Sequence, residues 1–389
     1  MDNTVYNEKP IFISFVLKLF LLFFLILPSY VNSAVIVILT ILYLINRRHL
    51  AIKIESISII LFTYLLLNII STLYATNIGL ALKETMTWLM FLGVVGIFKK
   101  NSLKEQRLYR YLIAGGVLAN ILFLVKTLSP IDINLNIPTY NCLAMINCIL
   151  IIYIENLIQL GIVKKVLFFR TIQGLLLLSI IVSAVRGIFA IVMVYYVYYV
   201  IYKQNRIKRL SAFRKIINIL CILFLGGIVL YFLNSLWTDY TSQMRTIFSG
   251  EIYSNQVRLL LYKQAIEYSV KNSFLFGAGA GNFIEVYNRF GVPGFHSNHA
   301  HSIFLQPFVE LGVIGAIIMI ALFFLIIKKS LSLTIESKLM YLEIVLPFLI
   351  YGMVDYTWVD LRVGIVFFIF VGQIIHAHDC KQFEESVTI

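Results

Sequence analysis

Charge is scarce in this chain of 389 residues: Asp, Glu, Lys and Arg together make up 13% of it, against 60% hydrophobic residues. That shortage excludes a water-soluble globule, because the polar residues are too few to cover the apolar ones. The mean hydropathy of +0.90 says the same. Cysteine is also scarce, at four. Cys142, Cys148 and Cys221 fall in apolar runs and Cys380 near the C-terminus, which argues against a disulfide framework or a thiolate metal centre. Missing too is the alternation of polar and apolar residues over segments of about ten that marks a transmembrane barrel.

What is present is a series of long apolar runs, such as "SISIILFTYLLLNIISTLYA" and "DLRVGIVFFIFVGQIIHAH", near the roughly 20 residues a helix needs to cross hydrocarbon. The predicted fold is an all-α polytopic membrane protein of about 12 transmembrane helices, with spans at 11–29, 31–46, 57–75, 78–97, 109–127, 141–162, 168–184, 187–202, 214–235, 302–327, 338–354 and 360–377. With both termini in the cytoplasm, roughly two-thirds of the 32 basic residues fall in inside loops, among them Lys99, Lys100, Lys104, Arg107 and Arg110, then Lys164, Lys165 and Arg170. Joining 168–202 into one helix would throw the following basic loop outside, so a turn is expected near Arg186. The net charge of +13 then needs no nucleic-acid partner. The first span carries Asp2 and Glu8 on its flank and is read as a retained helix, not a signal peptide.

Residues 1–389 read as one integral membrane domain, with one sizeable excursion, the outer loop 236–301. Within it, Leu260, Leu261, Tyr268 and Val270 suggest an amphipathic helix. The "GAGAGNF" that follows resembles a dinucleotide fingerprint only superficially, since no strand precedes it and no Gly-Lys-Ser/Thr follows.

Few residues could carry chemistry on the outer face. Arg186 sits in "IVSAVRGIFAIV", where an arginine costs about 2.5–3.5 kcal/mol on insertion scales unless it meets a wet cavity or a partner. It serves either an anionic client or the headgroups to which it snorkels. Arg258 opens the loop helix, and two arginines on one side suit a pyrophosphate. Lys83 and Lys126 stand near outer helix ends and could add point charges or snorkel. Asp355, Asp360 and Arg362 occupy the last outer turn, and Glu155 and Glu343 lie inside spans. "HSNHAHSIF" supplies His296, His299 and His301. Its local spacing offers no carboxylate, and His49, His376 and His378 are assigned to the cytoplasm, so no metal is expected. A histidine at the mouth of a helix suits proton transfer near neutral pH.

The run "HSIFLQPFVELGVIG" places nine residues between the His301–Ser302 pair and Gly312, with Gly315 three further on. This spacing, with "SAVRG" and "VRLLLYKQAIEYSVKNSFLFGAGAGNF", resembles the O-antigen ligase and polymerase superfamily over roughly residues 180–320. The resemblance implies a GT-C-like membrane glycosyltransferase in which His301 is the catalytic histidine and Arg186 and Arg258 are the essential arginines. Lys83, Lys126 and Ser302 are the expected substrate-binding residues. Val185 stands where the family usually has serine, and His296 and His299 match no family position. Gly312 and Gly315 are expected to let a neighbouring helix approach closely.

What the resemblance further implies is an O-antigen ligase in the inner membrane of a Gram-negative bacterium. It would carry a glycan from undecaprenyl diphosphate to lipid A-core oligosaccharide at the periplasmic face, with no cofactor and no metal. The O-antigen polymerase, which joins lipid-linked repeat units, is the alternative. A transporter would call for paired broken helices, and no half-to-half symmetry is visible. A non-catalytic scaffold would leave Arg186 without a purpose.

Overall fold

The computed structural model describes residues 11–45, 55–104, 106–129, 136–203, 254–291 and 296–387, with helical positions at 216, 220, 226 and 227. Every regular element among them is a helix. In chain order these are α1 (Ile11–Phe23), α2 (Ser29–Ile45), α3 (Ser56–Ser71), α4 (Ile78–Lys100), α5 (Tyr109–Leu128), α6 (Tyr140–Gln159), α7 (Val166–Val182), α8 (Arg186–Tyr198), α9 (Ser254–Asn272), α10 (Phe283–Phe290), α11 (Leu305–Leu331), α12 (Ile335–Gly352) and α13 (Leu361–Val387). Five are long and apolar enough to cross a membrane: 78–100, 109–127, 140–159, 305–331 and 361–384. Shorter apolar helices occupy 13–23, 29–42, 56–71, 166–182 and 186–202. The expected span 214–235 lies outside the described residues apart from the isolated positions above, as does Cys221.

α6 and α13 form the centre of the bundle, with 89% and 83% of their apolar windows buried by protein. α6 is apolar on almost every side, and a helix of that kind belongs where other helices surround it. Around α13 an aromatic cluster gathers Trp88, Phe91, Phe348, Phe367 and Phe368 about Trp358, which lies 5.2 Å from Trp88 and 5.7 Å from Phe348 between ring centres. Trp358 belongs to the turn between α12 and α13, so this packing anchors that turn onto the bundle.

The two ends are tied differently. At one, Arg362 forks onto Asp360 and donates to the carbonyls of Leu25 and Asn136, both at 3.2 Å. That joins the α1–α2 turn, the approach to α6 and the start of α13. The same end carries the turn between α7 and α8, where Ala184 adopts φ of 55° and the chain reverses as the charge pattern requires. At the opposite end Glu55 meets Lys329 and Lys99, and Lys99 also approaches Asp379 at 3.5 Å. Glu155, fully buried on α6, is paired with Arg170 and receives bonds from Gln159 and Gln173. Glu343 accepts from Asn156 at 3.0 Å.

Over Ser254–Asn272 the helical reading holds but its face differs. Leu261, Ala265 and Ser269 are buried, whereas Leu260 and Val270 point outward. The buried set recurs every four residues, and the period selects these over the larger apolar neighbours. The "GAGAGNF" stretch is a docking strap. Gly277, Gly279 and Gly281 all have positive φ, and a Cβ on Gly279 would lie 2.6 Å from that of Ala75. Buried Asn282 then accepts from Asn77 N at 2.7 Å and donates back to Asn77 O.

Gly312 also acts otherwise than the spacing suggests. Its φ of 68° and ψ of −165° break α11. What approaches is loop backbone and not a helix: a Cβ would sit 2.2 Å from Leu275 O. Val313 N donates to Phe274 O, Ala278 N to Val309 O and Gly279 N to Glu310 O. The break leaves helix carbonyls open, and the strap supplies their donors. Gly315 faces the Leu311 side chain and the Pro307 carbonyl of its own helix.

Candidate active site

His301 lies in the turn that leads into α11, with φ of 49°. A left-handed conformation at a residue with a Cβ costs on the order of 1–3 kcal/mol and persists only where surroundings impose it. Three contacts do so. Tyr262 of α9 donates its hydroxyl to His301 O at 2.6 Å, Ile303 N donates to Gly352 O at 2.7 Å, and Ala300 N donates to Gln306 Oε1 at 2.6 Å. Gln306 in turn donates to buried Glu310. Ser302, expected to bind substrate, accepts from the amides of Phe304 and Leu305 at 3.3 Å in the turn that precedes α11.

Across from the imidazole stands Asp355, in the turn after α12 that Trp358 anchors. Its Oδ1 is 3.0 Å from His301 Nδ1 and 3.7 Å from His299 Nε2. Tyr356 N also donates to Oδ1, while Oδ2 accepts from Asn141 at 3.0 Å and Tyr351 at 3.2 Å. An ionised carboxylate can only accept, so the His301 proton sits on Nδ1 and Nε2 keeps its lone pair. Burial holds the His301 imidazole below its ordinary value of 6.5, against the pull of Asp355. Burial pushes the Asp355 carboxyl up, but its contacts with His299 and His301 overcome this and hold it well below the usual carboxylate range.

Arg258 and Tyr262, one turn apart on α9, lie over this corner, and Arg258 Nη1 donates to Val354 O at 3.4 Å. Arg186 opens α8 and is exposed. Its neighbour Gly187 abuts Tyr351, where an added Cβ would come within 3.3 Å of Cε2. Arg258 thus borders the Tyr351–Asp355–His301 corner, and Arg186 is one residue from the Gly187–Tyr351 contact. Lys83, exposed on α4, and Lys126, in the last turn of α5, share the same end; among the described contacts neither reaches the histidine. Asp360 and Arg362 are occupied with each other.

His299 departs from the loop role assigned to it: its ring centre lies 4.3 Å from that of His301. His296 is exposed. The ligand atoms of His299, His301 and Asp355 fall within 4.8 Å of one another, a set of two nitrogens and one oxygen that could hold a divalent ion. The carboxylate that local spacing lacks thus comes from 54 residues away. Asp355, Tyr262, Tyr351 and Asn141 received no role from the sequence. Only Asp355 gave a signal, as an acid in a short outer turn between apolar runs.

Residues 173–320 match the family described as O-Antigen ligase. No curated protein matches the chain. The matched segment holds Arg186, Arg258, His301, Gly312 and Gly315, and its members are membrane glycosyltransferase-like enzymes. Over that segment the chain is similar to the O-antigen ligase family.

Proposed function

We propose that this chain is an O-antigen ligase, which transfers a glycan from an undecaprenyl-diphosphate donor to a hydroxyl of lipid A-core oligosaccharide on the outer face of the inner membrane. The observation that supports this most is the His301–Asp355 pair at 3.0 Å, beside a helix that carries Arg258. Nε2 of His301 takes the proton of the acceptor hydroxyl as its oxygen forms a bond to the anomeric carbon. The bond from that carbon to the diphosphate oxygen breaks in the same step, which inverts the configuration. Asp355 fixes the tautomer and stabilises the imidazolium that forms. Arg186 and Arg258 stabilise the charge that develops on the departing diphosphate. Lys83 and Lys126 are proposed to draw the anionic headgroup to this end of the bundle. The donor carries its own leaving group, so the reaction as written requires no metal or nucleotide.

A deletion strain examined by lipopolysaccharide gel tests this reading. Loss of the whole ladder with accumulation of lipid-linked polymer is expected. Core bearing a single repeat would assign the chain to the polymerases, and an unchanged ladder would remove it from this reaction.

A further inference from the structure

The end opposite the His301 corner, which the charge bias assigns to the cytoplasm, carries a groove of about 870 Å³ between α5 and α7. Its volume is in the range of ligand sites. Five cations line its mouth: Lys104, Arg107, Arg110, Lys164 and Lys165. No acidic residue is among the described lining residues. At the same end Lys99 and Lys329 are paired with Glu55, and Arg170 with Glu155. Arg107 has φ of 54°, an uncommon conformation for a residue with a Cβ. The first turns of α5 and α7 both open at the mouth and add their partial positive charge.

Behind the mouth the walls are apolar. Ala114, Val117 and Ile121 continue down one face of α5, opposite Phe168, Phe169 and Ile172 of α7. From Arg110 to Ile121 a helix rises roughly 16 Å, about half of the ~30 Å hydrocarbon core. The groove is therefore one leaflet deep.

The positive-inside tendency accounts for basic residues in these loops but not for their convergence on an apolar shaft. We propose that this groove binds an anionic glycerophospholipid of the cytoplasmic leaflet, its phosphodiester held by Arg107, Lys164 and Lys165 and its acyl chains lying along α5 and α7. Phosphate oxygens match the guanidinium fork and the ammonium groups. A long polyprenyl chain would overrun a shaft of this depth.

Native mass spectrometry of the full-length protein in detergent, titrated separately with phosphatidylglycerol, phosphatidylcholine and polyprenyl phosphate, tests the assignment. Phosphatidylglycerol should be retained at least roughly tenfold more than phosphatidylcholine, a preference that Arg107→Gln/Lys164→Gln/Lys165→Gln abolishes and Lys328→Gln/Lys338→Gln leaves in place. Ala114→Trp, which keeps every charge and fills the shaft, should lower phosphatidylglycerol retention by a similar factor, and it carries the test if the triple variant fails to fold. Equal retention of the zwitterionic lipid, equal loss in the Lys328/Lys338 control, unaltered binding to Ala114→Trp, or stronger retention of polyprenyl phosphate would each overturn the proposal.

Discussion

Two charged regions of the bundle, the Glu55–Lys99–Lys329 cluster at the end that the charge bias assigns to the cytoplasm and the His301 corner at the opposite end, are built in opposite ways. At the inner end Glu55, Lys99 and Lys329 are closed on one another with side chains 8–10% exposed, and Glu155 is locked to Arg170 by regular helices. At the outer end the histidine sits on a left-handed turn, α11 is broken at Gly312, and Arg258 donates to a carbonyl. Among the described residues no carboxylate lies within ion-pair distance of Arg258. Neutralised cations between straight helices stabilise a bundle; a cation held by a carbonyl keeps its charge for an anion that comes and goes. Irregular backbone at this corner is the means by which three separate segments bring His301, Asp355 and Arg258 together.

The largest effect that would break this contrast is loss of the imidazole. His301→Ala should reduce transfer by about 10²–10⁴-fold in a purified assay with lipid-linked donor and core acceptor, while His296→Ala costs little. An active His301→Ala would leave the outer corner structural like the inner one. Arg258→Lys and Arg186→Lys should each lose most activity while still inserting, because an ammonium copies forked contacts poorly. Full activity in either would reduce that arginine to a surface role. Chelators should leave transfer intact, whereas equal losses in His299→Ala and His301→Ala together with chelator sensitivity would make the His299–His301–Asp355 cluster a metal site.

Asp355→Asn should cost about 10–100-fold, the scale of losing a partner that orients a functional histidine. It also predicts a pH signature. The free-base form of His301 is needed, and burial already depresses its pKa below 6.5, so the acid limb of the rate lies below that value. Asp355 raises the His301 pKa, and removing its charge should shift the limb to still lower pH as the maximum falls. A limb that stays in place, or moves up, would deny the aspartate its electrostatic part.

Gly312→Ala acts through the fold. The added Cβ meets Leu275 O, and the left-handed φ adds about 1–3 kcal/mol, so the melting temperature in detergent should drop and the segment 274–283, which includes the strap, become more accessible to protease. An unchanged melting temperature would mean that the strap is not held by this break. The smallest effect on activity belongs to the inner end. Arg170→Ala should leave specific activity unchanged yet destabilise by about 3 kcal/mol, because Glu155 would be left charged and buried. Impaired transfer at full folding would erase the contrast between the two ends.

The sequence by itself determined the helical class and the turn at Arg186, and its motif spacing singled out His301 among the three clustered histidines. Hydrophobic run length, charge bias and the spacing from His301 to Gly315 are local quantities, and each can be read without knowing what packs against what. Only the tertiary structure decided the rest. Asp355 is one acid among several outer residues until the Trp358 cluster seats its turn against His301. His299 reads as a loop residue until its ring meets that of His301. Leu261 is chosen over Leu260 by the direction in which α9 faces the bundle. Gly312 reads as a helix–helix contact until its φ turns positive under the strap. In each case the deciding partner lies far away in the chain, and its identity is fixed by backbone geometry that spacing alone does not encode.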